Sequence, residues 1–93
     1  MSEMEVHLLI NGPVAGRVLR INTSLQVLEG AVLSDLLEAA EGQIGIDILT
    51  PLREGSEHPV ILLSGENLEL PTGLEQPLQD GDEVVVLQGI AGG

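Results

Sequence analysis

Hydrophobic and polar residues alternate near the start of the chain, where every second position from 4 to 10 is apolar. A period of two is typical of a strand with one buried face. The Asn, Gly and Pro residues at 11–13 are expected to break this strand, and Gly16 is expected to end the turn. Renewed alternation at 18–22 predicts a second strand, joined to the first as a hairpin.

The period lengthens between residues 31 and 41, where leucines and alanines recur at helical spacing with acidic residues on the other side. This pattern predicts the main helix. Two starts are open: Ser34 as the N-cap, with Asp35 in the first turn where the helix dipole favours negative charge, or an earlier start near 28–30. Gly42 is expected to end the helix.

The second half of the chain contains shorter elements. Residues 43–59 favour neither strand nor helix, because alternating isoleucines are followed by leucines at helical spacing. The elements expected beyond them are a strand at 60–63, a turn at 64–67, a short edge strand at 68–70, a turn or single 3₁₀ turn at 73–78 and a tight turn at 80–82. The continuous apolar run 84–87 predicts a strand covered on both faces, central in the sheet and parallel to the first strand.

The order of these elements predicts an α+β fold, a mixed sheet of four to five strands packed on one main helix. The chain has 93 residues, which fits a single domain over 1–93, with a globular part at about 1–87 and an extended tail at 88–93. The core is expected to be aliphatic, because 43% of the residues are apolar and Phe, Tyr and Trp are absent.

The charge of the chain excludes several classes of partner. Fifteen Asp and Glu residues stand against three Arg and no Lys, for a formal net charge of −12. We expect no binding to nucleic acid or to an anionic membrane, because both need Lys and Arg, and a basic protein partner is favoured instead. No apolar run approaches the roughly 20 residues that span a bilayer, and the start of the chain lacks a basic signal-peptide region. We therefore expect a cytoplasmic protein.

Side chains that could carry chemistry are scarce. The chain has no Cys, which removes disulfides, thiolate metal sites and thiol nucleophiles. His7 and His58 lie far apart in the sequence, so no metal site is expected, and the acidic residues at 80–83 suit a turn better than a calcium loop. We expect no catalytic residues and no bound cofactor on this chain.

The segment after the last strand is the strongest candidate for function. It is short, consists mainly of small residues and ends in Gly92 and Gly93. A tail without Cβ atoms on its last two residues can enter a narrow channel in another protein. It would present an unhindered main-chain carboxylate there, and enzymes that activate carboxylates with ATP need such access.

An acidic turn, a hydrophobic strand and this tail occur together in one known family. Residues 78–84, Leu-Gln-Asp-Gly-Asp-Glu-Val, followed by the strand and by Gly92-Gly93, resemble the ThiS/MoaD family of ubiquitin-like β-grasp sulfur carriers. The resemblance implies that an E1-like adenylating enzyme, which uses ATP, activates the carboxylate of Gly93 and that the carboxylate then becomes a thiocarboxylate. It also implies a partner interface at Leu87 and a tail that threads into the partner's active site through Gly89, Ile90, Ala91 and Gly92.

The resemblance leaves the receiving pathway open. Candidate sulfur acceptors are the molybdopterin synthase large subunit, thiazole synthase and a cysteine synthase. Leu87, Gln88 and Gly89 stand where molybdopterin-type carriers usually have Phe and Pro, and the Ala-Gly-Gly ending is similar to that of the cysteine-forming type. The alternative function is that of a ubiquitin-like modifier, conjugated through Gly93 to lysines of target proteins.

Overall fold

A five-stranded mixed sheet and two helices make up the structure, a computed structural model that describes residues 2–14, 16–55 and 58–88. The strands are β1 (Glu3–Val14), β2 (Arg17–Leu28), β3 (Val60–Leu63), β4 (Glu66–Leu68) and β5 (Glu83–Leu87). The helices are α1 (Leu33–Ile44) and α2 (Leu49–Glu54), and a 3₁₀ turn spans Thr72–Glu75. The predicted α+β class, with a mixed sheet on one main helix, is confirmed.

The last strand lies in the middle of the sheet, whose order is β2-β1-β5-β3-β4. β5 runs parallel to β1 and antiparallel to β3. The parallel pairing with β1 confirms what the apolar run predicted. The prediction that both faces of β5 are covered is wrong, since Val84 and Val86 are fully buried while Val85 is half-buried and Leu87 is 39% exposed. A continuous apolar run therefore identified the position of the strand but not the coverage of its second face.

The β1–β2 hairpin is longer than the sequence predicted. The Asn-Gly-Pro residues at 11–13 do not break β1, which pairs with β2 as far as Val14 opposite Arg17. Pro13 is tolerated because β5 pairs only with residues 7–11 of β1, so no neighbour on that side needs a donor from residue 13. Gly16 ends the turn as predicted, with a positive φ of 79°.

The main helix starts and ends at different residues from those predicted. Its N-cap is Val32, whose N–H donates to the Asp35 carboxylate at 2.9 Å, whereas Ser34 is buried inside the first turn. Both predicted starts are therefore wrong by a few residues. Gly42 does not end the helix, because the left-handed conformation that stops it is taken by Gly45 at a φ of 84°.

The stretch that favoured neither helix nor strand contains α2. The Asp47 carboxylate accepts the backbone N–H groups of Leu49 and Thr50 at 3.0 and 3.1 Å, which satisfies donors at the start of this short helix. Hydrogen bonds from the side chain and backbone of Thr50, and from the backbone of Leu49, hold the pKa of Asp47 below its ordinary value. Leu49 and Leu52 point into the core.

One face of the sheet, here called the inner face, packs against α1 and forms the core. Val6, Leu8 and Ile10 of β1 are at most 1% exposed, and Leu33, Leu36 and Leu37 of α1 are fully buried against the same cluster. This core is aliphatic throughout, as the composition predicted. Within the described residues, no helix is long and apolar enough to cross a membrane.

Candidate functional site

The candidate site begins where β5 ends. Gln88 is the last residue that the structure describes, and it follows the central strand directly. Its N–H donates to the Asn11 carbonyl at 3.1 Å, which extends the pairing of β5 with β1 by one residue beyond Leu87. The sequence-predicted site residues Gly89, Ile90, Ala91, Gly92 and Gly93 lie outside the described residues.

Leu87, the predicted interface residue, belongs to an apolar surface on the face of the sheet opposite α1. Side chains at registered positions share one face of a sheet, and here Leu9, Val85 and Leu62 form one row across β1, β5 and β3. Val60 lies beside Leu87 in the next row. We call these five residues the outer patch, of which Val60 and Leu87 are 47% and 39% exposed.

The outer patch continues into a shallow concavity at the root of the tail. Leu87 and Gln88 form one wall of this concavity, and Val18 and Arg20 of β2 form the other. Val18 is 74% exposed, which makes it the most exposed of the large apolar residues that the structure describes. The surface around the last described residue therefore combines exposed apolar side chains with polar ones and is open to a partner.

One positive charge, the guanidinium group of Arg20, lines this concavity. The chain has three arginines and no lysine, and two of the arginines, Arg17 and Arg20, are exposed on β2. Arg20 pairs with Asn11, the residue that accepts the Gln88 N–H. A partner that meets the outer patch would therefore find the guanidinium group of Arg20 beside it on a chain that is otherwise strongly acidic. Arg17 pairs with the buried Val14, so it lies on the opposite face of the sheet.

The acidic turn before β5 has a structural role. The Asp82 carboxylate accepts the Gln79 N–H at 2.8 Å and the Ser64 hydroxyl at 2.9 Å, and Gly81 supplies the positive φ of the predicted tight turn. The Asp80 carboxylate accepts the Glu5 N–H at 2.8 Å. These bonds fix the start of β5 against β1 and β3. In the described ranges, no three His, Cys, Asp or Glu side chains are grouped as a metal site would require.

Sequence reasoning missed most members of this surface. Leu9, Leu62 and Val85 lie in three different strands, so only the register brings them together. The sequence pattern predicts Asn11 in a turn, although it is paired inside β1. One available signal was Gly12, since an isolated Gly in a strand pattern often marks the close approach of another backbone.

Comparisons with known proteins agree with this geometry. The model of the ThiS family matches residues 8–93. Three similar solved structures are the HVO 2177 protein of Haloferax volcanii, subunits 1 and 2 of molybdopterin-converting factor from Helicobacter pylori in complex, and SAMP1 of Haloferax volcanii.

The HVO 2177 protein is 26% identical with a TM-score of 0.67, and the match covers 98% of this chain and 88% of that one. The molybdopterin-converting factor chain and SAMP1 are each 23% identical with a TM-score of 0.57, and the matches cover 97% and 99% of this chain and 100% of each of theirs. These likenesses confirm the predicted β-grasp fold. No match was found among curated protein sequences.

Proposed function

This chain belongs to the ThiS family, and from that premise we propose that it is a sulfur carrier, a co-substrate of partner enzymes with no catalytic side chains of its own. The observation that carries the proposal is the continuity between the central strand and the tail. The family match runs through β5 to Gly93, so it includes both the anchored Gln88 and the Gly92-Gly93 pair.

The proposed chemistry takes place on the main-chain carboxylate of Gly93. In the active site of an E1-like enzyme, this carboxylate attacks the α-phosphate of ATP and releases pyrophosphate. Hydrosulfide then attacks the carbonyl carbon of the acyl-adenylate and displaces AMP, which leaves a thiocarboxylate and releases a proton. The absence of Cys from the chain agrees with this scheme, because the main chain itself then provides the group that carries sulfur.

The described residues would contribute recognition. The outer patch presents apolar side chains beside the root of the tail, and apolar burial supplies most of the driving force for protein association. The absence of Lys agrees with a reactive acyl terminus as well, since the surface offers no lysine amine that the acyl-adenylate of the same or another copy could modify.

A second protein would receive the sulfur. The Helicobacter pylori relative was solved as a complex of two subunits of molybdopterin-converting factor, which supports a partner of comparable kind for this chain. We infer that the acceptor belongs to one of three classes: a molybdopterin synthase large subunit, a thiazole synthase or a cysteine synthase. Purified candidates of each class, incubated with the thiocarboxylate form and the matching precursor, would identify the acceptor by the product formed.

The decisive test is intact-protein mass spectrometry. Incubation of the full chain with an E1-like enzyme from the same source, ATP and sulfide should raise its mass by the difference between a sulfur and an oxygen atom. The matched control lacks Gly93, and its mass should stay unchanged. If several such enzymes leave the mass of the intact chain unchanged, the sulfur-carrier proposal is wrong.

A separate experiment in cells tests the alternative function as a modifier. A tagged form expressed in its source cells would, in that case, leave Gly-Gly remnants on lysines of other proteins after digestion at an Arg or Lys introduced at position 91. Remnants on many targets, without a thiocarboxylate on the free chain, would favour the modifier function over sulfur transfer.

A further inference from the structure

Gly12 lies in β1, directly beside the residue from which the tail starts. It pairs with Leu19 of β2, and its φ is +121°, a backbone conformation that L side chains rarely adopt. A Cβ at this position would overlap the Gln88 carbonyl oxygen and would lie 3.1 Å from the carbonyl carbon and 3.2 Å from the amide nitrogen. Both the conformation and the available space therefore require glycine.

The other described glycines meet at most one of these conditions. Gly16, at the tip of the same hairpin, has a φ of +79°, but a Cβ there would have nothing within 4 Å. Gly45 at the end of α1 is equally open. Among the described glycines with positive φ, Gly12 is the one whose missing side chain leaves room for the backbone of another segment. Turn geometry alone does not explain this contact.

We propose that Gly12 is a positioning residue that fixes where and in which direction the C-terminal segment leaves the sheet. Two contacts hold Gln88 from β1: its N–H donates to the Asn11 carbonyl at 3.1 Å, and its carbonyl packs against the open face of Gly12. A side chain on residue 12 would displace Gln88 and break or lengthen that hydrogen bond. The inference rests on the proposed function only in taking residues 89–93 as the reacting segment.

The importance of this position follows from the reach of the tail. The five residues after Gln88 can span at most about 17 Å when fully extended. If a partner binds the outer patch, the depth that Gly93 reaches in the partner depends on where Gln88 lies, because the tail starts there. A shift of Gln88 relative to Leu87 changes the place of the carboxylate in the partner's site, and a misplacement of about 1 Å can reduce a rate by about a hundredfold.

The test compares Gly12→Ala with Gly16→Ala. Both variants place an L side chain at a positive φ in the same hairpin, but only the first meets Gln88. We expect amide hydrogen exchange of Gln88, measured by NMR, to be at least about tenfold faster in Gly12→Ala than in Gly16→Ala. With an E1-like enzyme, kcat for adenylation should fall at least about tenfold in Gly12→Ala alone, with KM changed less than about threefold, since the outer patch is intact.

The two readouts separate this inference from the proposed function. Equal exchange of Gln88 in both variants would overturn the positioning role, and so would faster exchange combined with a normal kcat. If the unmodified chain is never adenylated, the proposed function fails, and the exchange rates still decide whether Gly12 holds Gln88.

A second variant covers the case in which Gly12→Ala does not fold. Gln88→Pro removes the N–H donor to Asn11 without changing the hairpin, and Leu87 already has the extended backbone that a residue before proline prefers. The inference expects the same loss of kcat at a stability close to that of the unmodified chain. An undiminished kcat in this variant would contradict it.

Discussion

Leu8 and Leu9 are neighbours of the same type on one strand, yet they belong to two different surfaces. Leu8 is fully buried on the inner face against α1, whereas Leu9 is half-buried in the outer patch. β5 repeats the contrast with Val86, which is fully buried, and Leu87, which is 39% exposed. The period of two along a strand thus places residues of similar hydrophobicity alternately in the core and on a surface open to a partner.

The difference teaches that hydrophobicity has two separable roles in this sheet. Inner-face side chains give up most or all of their contact with water on folding, so they contribute to the free energy of folding. Outer-patch side chains keep part of that contact and would lose it only when a partner docks. Substitutions on the two faces should therefore separate stability from sulfur transfer.

The largest effect is expected from Leu8→Ala. Truncating a fully buried Leu removes apolar contacts and leaves a cavity, so the free energy of unfolding should fall by about 2–5 kcal/mol. Leu9→Ala, the matched control, should cost less than about 1.5 kcal/mol because its side chain is already partly in water. Urea denaturation followed by circular dichroism measures both. Equal losses would mean that the outer patch is part of the core.

The second prediction concerns a substitution that should affect sulfur transfer and leave stability nearly unchanged. Leu87→Asp should lower the rate of thiocarboxylate formation at least about tenfold, because a charge would be buried in the docked interface, while the free energy of unfolding changes by less than about 1 kcal/mol. Leu28→Asp is the control, since Leu28 is 51% exposed at the opposite end of the sheet. Normal transfer by Leu87→Asp, or an equal loss in Leu28→Asp, would place the interface elsewhere.

The third prediction is a smaller gain in stability from a substitution in α1, away from the outer patch. Gly42 lies inside α1 with open space around an added Cβ, so Gly42→Ala should stabilise the fold by about 0.5–1 kcal/mol through the lower entropy of the unfolded chain. Thermal denaturation measures this gain. The rate of sulfur transfer should stay the same, and a parallel change in that rate would show that the two roles are coupled.

The smallest effect concerns pH. Because the pKa of Asp47 in the folded chain lies below its ordinary value of 3.8, the ionised carboxylate favours folding above that pH. This contribution should be lost as the pH falls below 3.8 through the folded-state pKa. An NMR titration of the Asp47 carboxyl carbon gives the midpoint, and Asp47→Asn should remove this part of the pH dependence. A midpoint above 3.8 would contradict the role assigned to the Thr50 hydrogen bonds.

The sequence predicted the elements better than their ends. The apolar run of β5 is distinctive enough to show a central strand, and its parallel pairing with β1 follows from the connections that such a fold allows. The glycines led to wrong ends for two elements, because a glycine in a sequence can indicate a turn, a helix end or a close approach between backbones. The pattern predicts the end of the first strand near Gly12 and the end of the main helix at Gly42. In the structure Gly12 lies inside β1 and makes room for Gln88, and Gly42 lies inside α1.

Only those residues of the candidate site that are adjacent in the sequence could be predicted. Leu87 is adjacent to the tail in the sequence, so its place beside Gln88 followed from the order of residues alone. Asn11 and Arg20 also lie beside Gln88, but only because of the register between β1 and β2, which depends on where the hairpin turns. Since that turn was expected to begin at residue 11, the contribution of β1 and β2 to the site was hidden.

The central position of β5 also has a mechanical consequence. A partner that draws residues 89–93 into a channel pulls on β5, which is hydrogen-bonded to β1 on one side and to β3 on the other. Those bonds run across the strand rather than along it, so a pull along the strand axis loads them together in shear instead of opening them one at a time. The sheet is therefore arranged to bear tension at the end from which the tail starts.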